Sequence, residues 1–460
     1  MAAIDLTARA RKYSLYIPSV QIGSAEKVCM TADEWQDTLL PCGLVPADFN
    51  FLDPANKYFS YLYALASAEN FKDGTNNAIT SCDPAAFILG DSGGFQIGKG
   101  TFGEARKWKG FSERKVSAAW RQSTILGDNT EWCEIYCNYA MTTDLPLWVR
   151  RARNKGTPFH RCSVATLLEL TVENLEYLQR VLDRRCKYLN VLQGDKPSEE
   201  EEWFRRVSPF KFDGWSLAGG VGVNGGPFRV LNRLLIMRHR KLLDPGFDLL
   251  HLLMLSQYSW APIMTAVQMG VRKFVKNKKF TVSYDSSTPY RMGGQYEKYF
   301  EARPFTSDPR TWSNWDHKLP STYGFLSPKF ALNTTTCSRN KCAMCARKKP
   351  HLPAPFTSPI AKNLCMSDFI TNKNNHARRR VKTLFDETII NHNVYVLVDG
   401  MIRANEAVFG TKENAPPELI DAVGIIKDDL FRVENWRDLL NKNRSLLEDA
   451  VGFKAGKDVL

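Results

Sequence analysis

The sequence offers no uninterrupted apolar run that could cross a membrane. The longest uncharged segment, Leu249 to Val271, is broken by His251, Gln257, Pro262 and Gln268, and reads as a buried strand, loop and helix. The start MAAIDLTARARKYSLY has no apolar h-region, so no secretory leader is expected. The eleven cysteines are odd in number and mostly scattered, without the spacing of a disulfide framework. These absences exclude a membrane-spanning or disulfide-stapled design and point to a reducing cytoplasm. No internal repeat is visible, and no long segment has the composition of a disordered chain.

What is present is an ordinary globular composition on an unusually basic chain. Apolar residues make up 43% and charged residues 24% of 460 residues, enough for one large barrel-type domain with an attached subdomain. The net charge of +13 and pI of about 9.1 imply a positive surface and make a polyanion a reasonable partner.

Short apolar runs read as buried parallel strands: AAFILG before Asp91, KYLNVLQG before Asp195, GWSLAGG around Leu217 and KFTVSYD before Ser286. Helical periodicity fills 166 to 185 and 228 to 243 between them. Strands alternating with helices predict an α/β fold with a parallel sheet. Asp91, Gln193 and Asp285 each follow an apolar run, at the strand end where a (β/α)8 barrel builds its active site. An open doubly wound sheet also places ligands at strand ends and is the alternative. A stretch rich in Pro, Ser, Thr, Asp and Trp from Phe305 to Tyr323 predicts a boundary. The expected division is a catalytic barrel over 1–320, a cysteine-bearing subdomain over 321–400 and a helical extension over 401–460. Glu199 to Glu202 reads as a solvated helix start.

The hexapeptide Asp91-Ser92-Gly93-Gly94-Phe95-Gln96 by itself is a strand-to-helix turn whose glycines permit close backbone approach. Further segments follow it in order: Gln193-Gly194, the Gly219-Gly220 pair, Leu253-Met254, and Asp285-Ser-Ser-Thr-Pro289-Tyr-Arg291. Together they resemble the signature of the tRNA-guanine transglycosylase superfamily over roughly residues 85 to 395, while the first 80 residues match poorly. The resemblance implies a TIM-type (β/α)8 barrel with an inserted zinc site, and a base-exchange enzyme using two carboxylates. Asp285 would be the nucleophile that attacks C1′ and holds the sugar covalently, and Asp91 the group that manages protons on the departing and incoming bases. Asp144, Gln193, Gly219 and Gly220 would read the polar edge of the base. Ser92 and Gly94 would also contact it, and Phe95 and Met254 would sandwich its ring; simple core packing is the alternative for Met254.

Cys337-x4-Cys342-x2-Cys345 supplies three thiolates at the spacing of a structural zinc site. The resemblance implies His392 as the fourth ligand, with His376 nearer in sequence and Cys365 a possible substitute. Four protein ligands leave zinc no open position for catalysis. Arg291, Lys276, Lys278 and Lys279 flank the nucleophile motif and are candidates for phosphate contact, with Arg272 and Lys273 beside them and Arg378 to Arg380 beyond the cysteines.

Several departures shift the expected polymer from tRNA to DNA. Leu255-Ser256-Gln257 stands where small glycines follow the Leu-Met pair, Asn224-Gly225 replaces a Gly-Glu, the cysteine loop is longer, and C-terminal helices are added. These features look more like the DpdA-type DNA-guanine transglycosylases of phages and bacteria, which insert 7-deazaguanines such as preQ0. The expectation is therefore a DNA-modifying transferase in a bacterial or infected-host cytoplasm, with helper proteins opening the duplex as an open question. A tRNA enzyme, or a non-catalytic zinc-containing nucleic-acid-binding protein, is the alternative.

Overall fold

The structure is a computed structural model that describes residues 3–31, 44–68, 76–183, 185–194, 196–218, 221–243, 246–296, 298–313, 316–318, 357–360 and 375–453. Its centre is a parallel sheet of eight strands: β1 (Leu15–Pro18), β2 (Tyr63–Ser67), β3 (Phe87–Asp91), β4 (Tyr139–Met141), β5 (Lys187–Leu192), β6 (Gly214–Leu217), β7 (Leu249–Leu252) and β8 (Thr281–Ser286). From β2 onward each strand pairs with the next, and β8 returns to β1 with Asp285 opposite Ile17. A parallel bridge between Ser19 and Leu65, with Val20 N–H donating to the Leu65 carbonyl at 2.8 Å, brings β1 to β2 across the remaining seam. The sheet is thus an all-parallel, nearly closed barrel consistent with the TIM type, and the open doubly wound alternative is set aside.

Helices fill the connections because their apolar stripes cover the outside of the barrel. They are α1 (Gly94–Lys99), α2 (Glu113–Gln122), α3 (Ile125–Tyr136), α4 (Val164–Val181), α5 (Pro197–Val207), α6 (Val221–His239) and α7 (Trp260–Val275). Ser163 caps α4 by accepting from Thr166 N–H at 3.1 Å, and Leu167, Leu168, Leu175 and Leu178 form its buried face. Gly226, at φ 63°, interrupts α6 just before Pro227. The acidic run on α5 is only partly solvated, since Glu200 pairs with Arg229 and Arg233 of α6.

A long helix, α8 (Asn375–Phe409), follows β8 in the chain and packs against α7, β1 and the short helix Leu6–Ala10. It occupies the place of the barrel's eighth helix. Arg9 bridges to Asp399 at 2.7 Å, Lys27 to the buried Glu387 at 2.9 Å, and Asn393 donates to the Pro289 carbonyl at 3.3 Å. The boundary expected between 400 and 401 falls inside this helix, so residues on both sides belong to one element. The rest of the expected cysteine-bearing subdomain lies almost wholly outside the described residues. Beyond α8, α9 (Pro417–Ile425), α10 (Trp436–Lys442) and α11 (Arg444–Asp449) pack on the outside of the barrel. Arg238 of α6 donates to the Val433 carbonyl there at 2.8 Å. Among the described residues no helix is long and apolar enough to cross a membrane.

Candidate active site

The C-terminal strand ends gather Asp91 from β3, Asp144 after β4, Gln193 after β5, Met254 after β7 and Asp285 from β8 at one mouth. The Asp-Ser-Gly-Gly turn shows why that sequence is needed. Gly93 adopts φ 71°, a left-handed conformation that starts α1 without a Cβ penalty. Gly94 lies so close to Asp144 that a Cβ would sit 3.2 Å from its carbonyl and its Oδ1. Both glycines serve the protein's own packing before any ligand arrives.

Asp144 is buried and held at both oxygens. Ser92 Oγ donates to its Oδ1 at 3.0 Å and Gln193 Nε2 to its Oδ2 at 2.6 Å. Gln193 also donates to the Leu145 carbonyl at 3.2 Å and accepts from Leu147 N–H at 2.9 Å. With 2% of its surface exposed, Gln193 spends its amide inside the protein and orients Asp144, instead of presenting a free edge to a base. Burial raises the Asp144 carboxyl to about 6, against the pull of the Ser92 hydrogen bond. Asp91 is half-buried, yet protein encloses its carboxyl closely enough for desolvation to be the main cause of its rise to about 7. The charges of Asp285 and Asp144 push in the same direction, and the Gly93 and Ser92 amides oppose them.

Asp285 is buried, with one oxygen engaged: Met254 N–H donates to Oδ1 at 3.1 Å. That contact depends on Met254 holding φ 66°, a strained left-handed conformation for a non-glycine residue. The same backbone turn sends the Met254 side chain outward. Met254 is 51% exposed and Phe95 58%, so both present apolar surface to solvent instead of packing in the core. Phe95 also stacks obliquely on Trp148, with ring centroids 5.4 Å apart.

One close neighbour of Asp285 carries no motif in the sequence. His251, fully buried on β7, places Nε2 3.4 Å from Asp285 Oδ1 while its Nδ1 lies 2.9 Å from Ser283 Oγ. Nε2 has no hydrogen-bond partner among the described residues, and a buried polar group left so costs about 1–3 kcal/mol. Its only sequence signal was as a polar interruption of an apolar run.

The expected phosphate contacts divide between the two ends of the barrel. Arg291 follows β8 on the mouth side and is exposed, with Nη2 donating to Tyr296 Oη at 3.2 Å. Lys276, Lys278 and Lys279 lie between the end of α7 and the start of β8, at the opposite end. Residues preceding a strand lie on the bottom face, and the strand from Thr281 to Tyr284, rising about 3.3 Å per residue, separates that face from Asp285. Strand polarity thus separates these lysines from Asp285, to which they are close in sequence. A surface groove of about 780 Å³, lined by Arg121, Glu131 and Tyr177 among others, lies between α3 and α4; none of the mouth residues lines it.

Gly219 and Gly220 lie outside the described residues, as do Cys337, Cys342, Cys345 and Cys365. His376 is on α8. His392 is buried on the same helix, and both of its ring nitrogens are committed. Nε2 donates to the Phe300 carbonyl at 2.8 Å, and Nδ1 accepts from Ser358 N–H at 3.3 Å. Burial lowers its pKa to about 4. Zinc ligation by His392 would require breaking one of these bonds. Among the described residues no cluster of three metal-ligating side chains occurs.

The fold and mouth therefore define a parallel-barrel protein with three carboxylates gathered at the C-terminal ends of its strands. No family model matches the chain, and no curated protein shows significant similarity to it.

Proposed function

We propose that the chain is a guanine transglycosylase acting on DNA, exchanging guanine for a 7-deazaguanine such as preQ0 through a covalent aspartyl-sugar intermediate. The observation that carries this reading is the unequal pair of carboxylates at one mouth. Asp285 has one oxygen bound by Met254 N–H, and Asp91 is poised to gain and lose a proton at about pH 7. The sequence resemblance supplies the reaction class, and the barrel supplies a place for it.

In the first step the free oxygen of Asp285 bonds to C1′ as the C1′–N9 bond breaks, and the electron pair leaves with guanine. Asp91 delivers a proton to the departing ring. In the second step the incoming base loses its N9 proton to Asp91 and attacks C1′, and the carboxylate is released. Near neutrality a carboxyl at about 7 suits both transfers. Asp144, mostly ionised at that pH, accepts from the N1–H and exocyclic amine edge that guanine and 7-deazaguanines share. Phe95 and Met254 supply the exposed apolar surface on which the ring stacks. Flipping the nucleotide out of a duplex costs about a few kcal/mol, which stacking and the Asp144 edge must offset. A zinc ion at Cys337, Cys342 and Cys345 would serve structure alone.

The test is to offer the full chain DNA and tRNA with labelled guanine, and to look for a denaturation-resistant protein–polymer adduct. The reading expects exchange and an adduct with DNA, and neither with Asp285→Asn. Exchange into tRNA alone would overturn the DNA assignment, and an adduct persisting in Asp285→Asn would overturn the nucleophile. DNA binding without exchange would favour the non-catalytic alternative.

A further inference from the structure

We infer that His251 is the positioning residue for the proposed nucleophile, a role that rests on the base-exchange reading. It holds Asp285 Oδ1 from inside the barrel so that the other oxygen alone faces the sugar. The register shows how the sequence arranges this. Period two on β8 puts Ser283 and Asp285 on the same inward face, Ser283 one step deeper, and β7 pairs His251 with Ser283. On its other side His251 pairs with Ser216 of β6. All three are fully buried, a polar layer where such barrels are usually filled by branched apolar side chains.

Within that layer, Ser283 Oγ lies 2.9 Å from Nδ1, and the tautomer that suits a carboxylate facing Nε2 has Ser283 donating to Nδ1 and the imidazole hydrogen on Nε2. Nε2 has no other partner among the described residues and is 3.4 Å from Asp285 Oδ1, longer than a good hydrogen bond. A slight movement of Asp285 toward the interior would close this contact, and such contacts in unliganded sites commonly tighten as reaction proceeds. Asp285 Oδ1 would then receive two donors, Met254 N–H and His251 Nε2–H. In the glycosyl ester Oδ1 becomes the carbonyl oxygen. When the incoming base forms its bond to C1′ and the C1′–O bond breaks, the released electron pair spreads onto Oδ1, where both donors stabilise it. No proton moves between His251 and Asp285 in either step. Loss of the histidine donor therefore slows resolution of the covalent intermediate more than its formation.

The experiment forms the DNA adduct on the full chain, adds free base, and follows adduct disappearance in wild type, His251→Phe and His251→Gln. In His251→Phe resolution is expected to slow by about 100-fold, with the adduct accumulating and the KM for base little changed. His251→Gln, whose amide can place a donor near the same point, restores most of the rate. Resolution at the wild-type rate in His251→Phe, equal loss of formation and resolution, or no rescue by glutamine would overturn the inference while leaving base exchange intact. Failure of wild type to form any adduct would overturn the base-exchange reading instead. A second measurement needs no activity: ¹⁵N NMR of the resting protein should show the hydrogen of His251 on Nε2, with that resonance moved by Asp285→Ala. A hydrogen on Nδ1, or no movement, overturns the inference.

Discussion

Replacing Asp91 with asparagine should make the protein more stable above neutrality and, on the proposed mechanism, inactive. The carboxyl rises from 3.8 to about 7, first through burial and then through the charges of Asp285 and Asp144. At about 1.4 kcal/mol per pH unit, ionising Asp91 in the folded protein costs about 4 kcal/mol more than in the unfolded chain. Access from the mouth and relaxation of neighbours reduce this to ~2 kcal/mol. The sign follows from proton binding. Between about pH 4 and 7 the folded protein keeps a proton that the unfolded chain has released, so Asp91's contribution falls across that window and is level above it. The asparagine side chain does not titrate. Urea unfolding followed by tryptophan fluorescence should therefore show Asp91→Asn more stable than wild type by ~2 kcal/mol near pH 8, with the gap closing toward pH 4. Guanine exchange should fall by about 10² to 10⁴-fold. A gap that is independent of pH, or a variant less stable than wild type near pH 8, would refute the assignment of a raised carboxyl.

Other perturbations test the surrounding scaffold. Gln193→Leu removes the 2.6 Å donor from Asp144 Oδ2 and should lower kcat/KM for the incoming base by about 30-fold, near 2 kcal/mol, checked by steady-state exchange. Gly94→Ala presses a Cβ against Asp144 and Ser92 Oγ at 3.2 Å. It should raise the KM for base by about tenfold with little change in the unfolding midpoint. Arg291→Ala should weaken DNA binding and reduce the salt slope by about one. The triple change of Lys276, Lys278 and Lys279 to serine, at the far end of the barrel, should leave that slope unchanged in a fluorescence titration.

The motif segments were legible because each joins a strand period to a polar residue at its end. AAFILG-D, KYLNVLQ and KFTVSYD gave β3, β5 and β8 to within two residues, and the run from Leu249 to Val271 resolved into β7, a loop and α7 as its polar interruptions suggested. The first two barrel strands were not. Leu15–Pro18 is four residues long and ends in proline, and Tyr63–Ser67 sits in the apolar run Tyr61 to Ala66 but ends at a serine that belongs to no motif, so pairing with β8 and β3 defines them. The long helix α8 was also misplaced across a boundary. Its apolar residues face several neighbours at once, and the helical stripe that marks a one-sided helix is absent.

For the two carboxylates, sequence alone determined identity and strand-end position, because a polar residue ending a buried parallel strand has little alternative to the barrel mouth. Tertiary structure decided the raised proton affinity of Asp91. A proton affinity depends on what encloses the group from every strand, and on Asp91 that means burial first and then the charges of Asp285 and Asp144, from segments far away in the chain. It also decided that Gln193 faces inward, that the three lysines lie at the wrong end of β8, and that His251 stands beneath Asp285. Each of these follows from strand polarity or cross-strand register, which exist only once the chain has closed into a barrel.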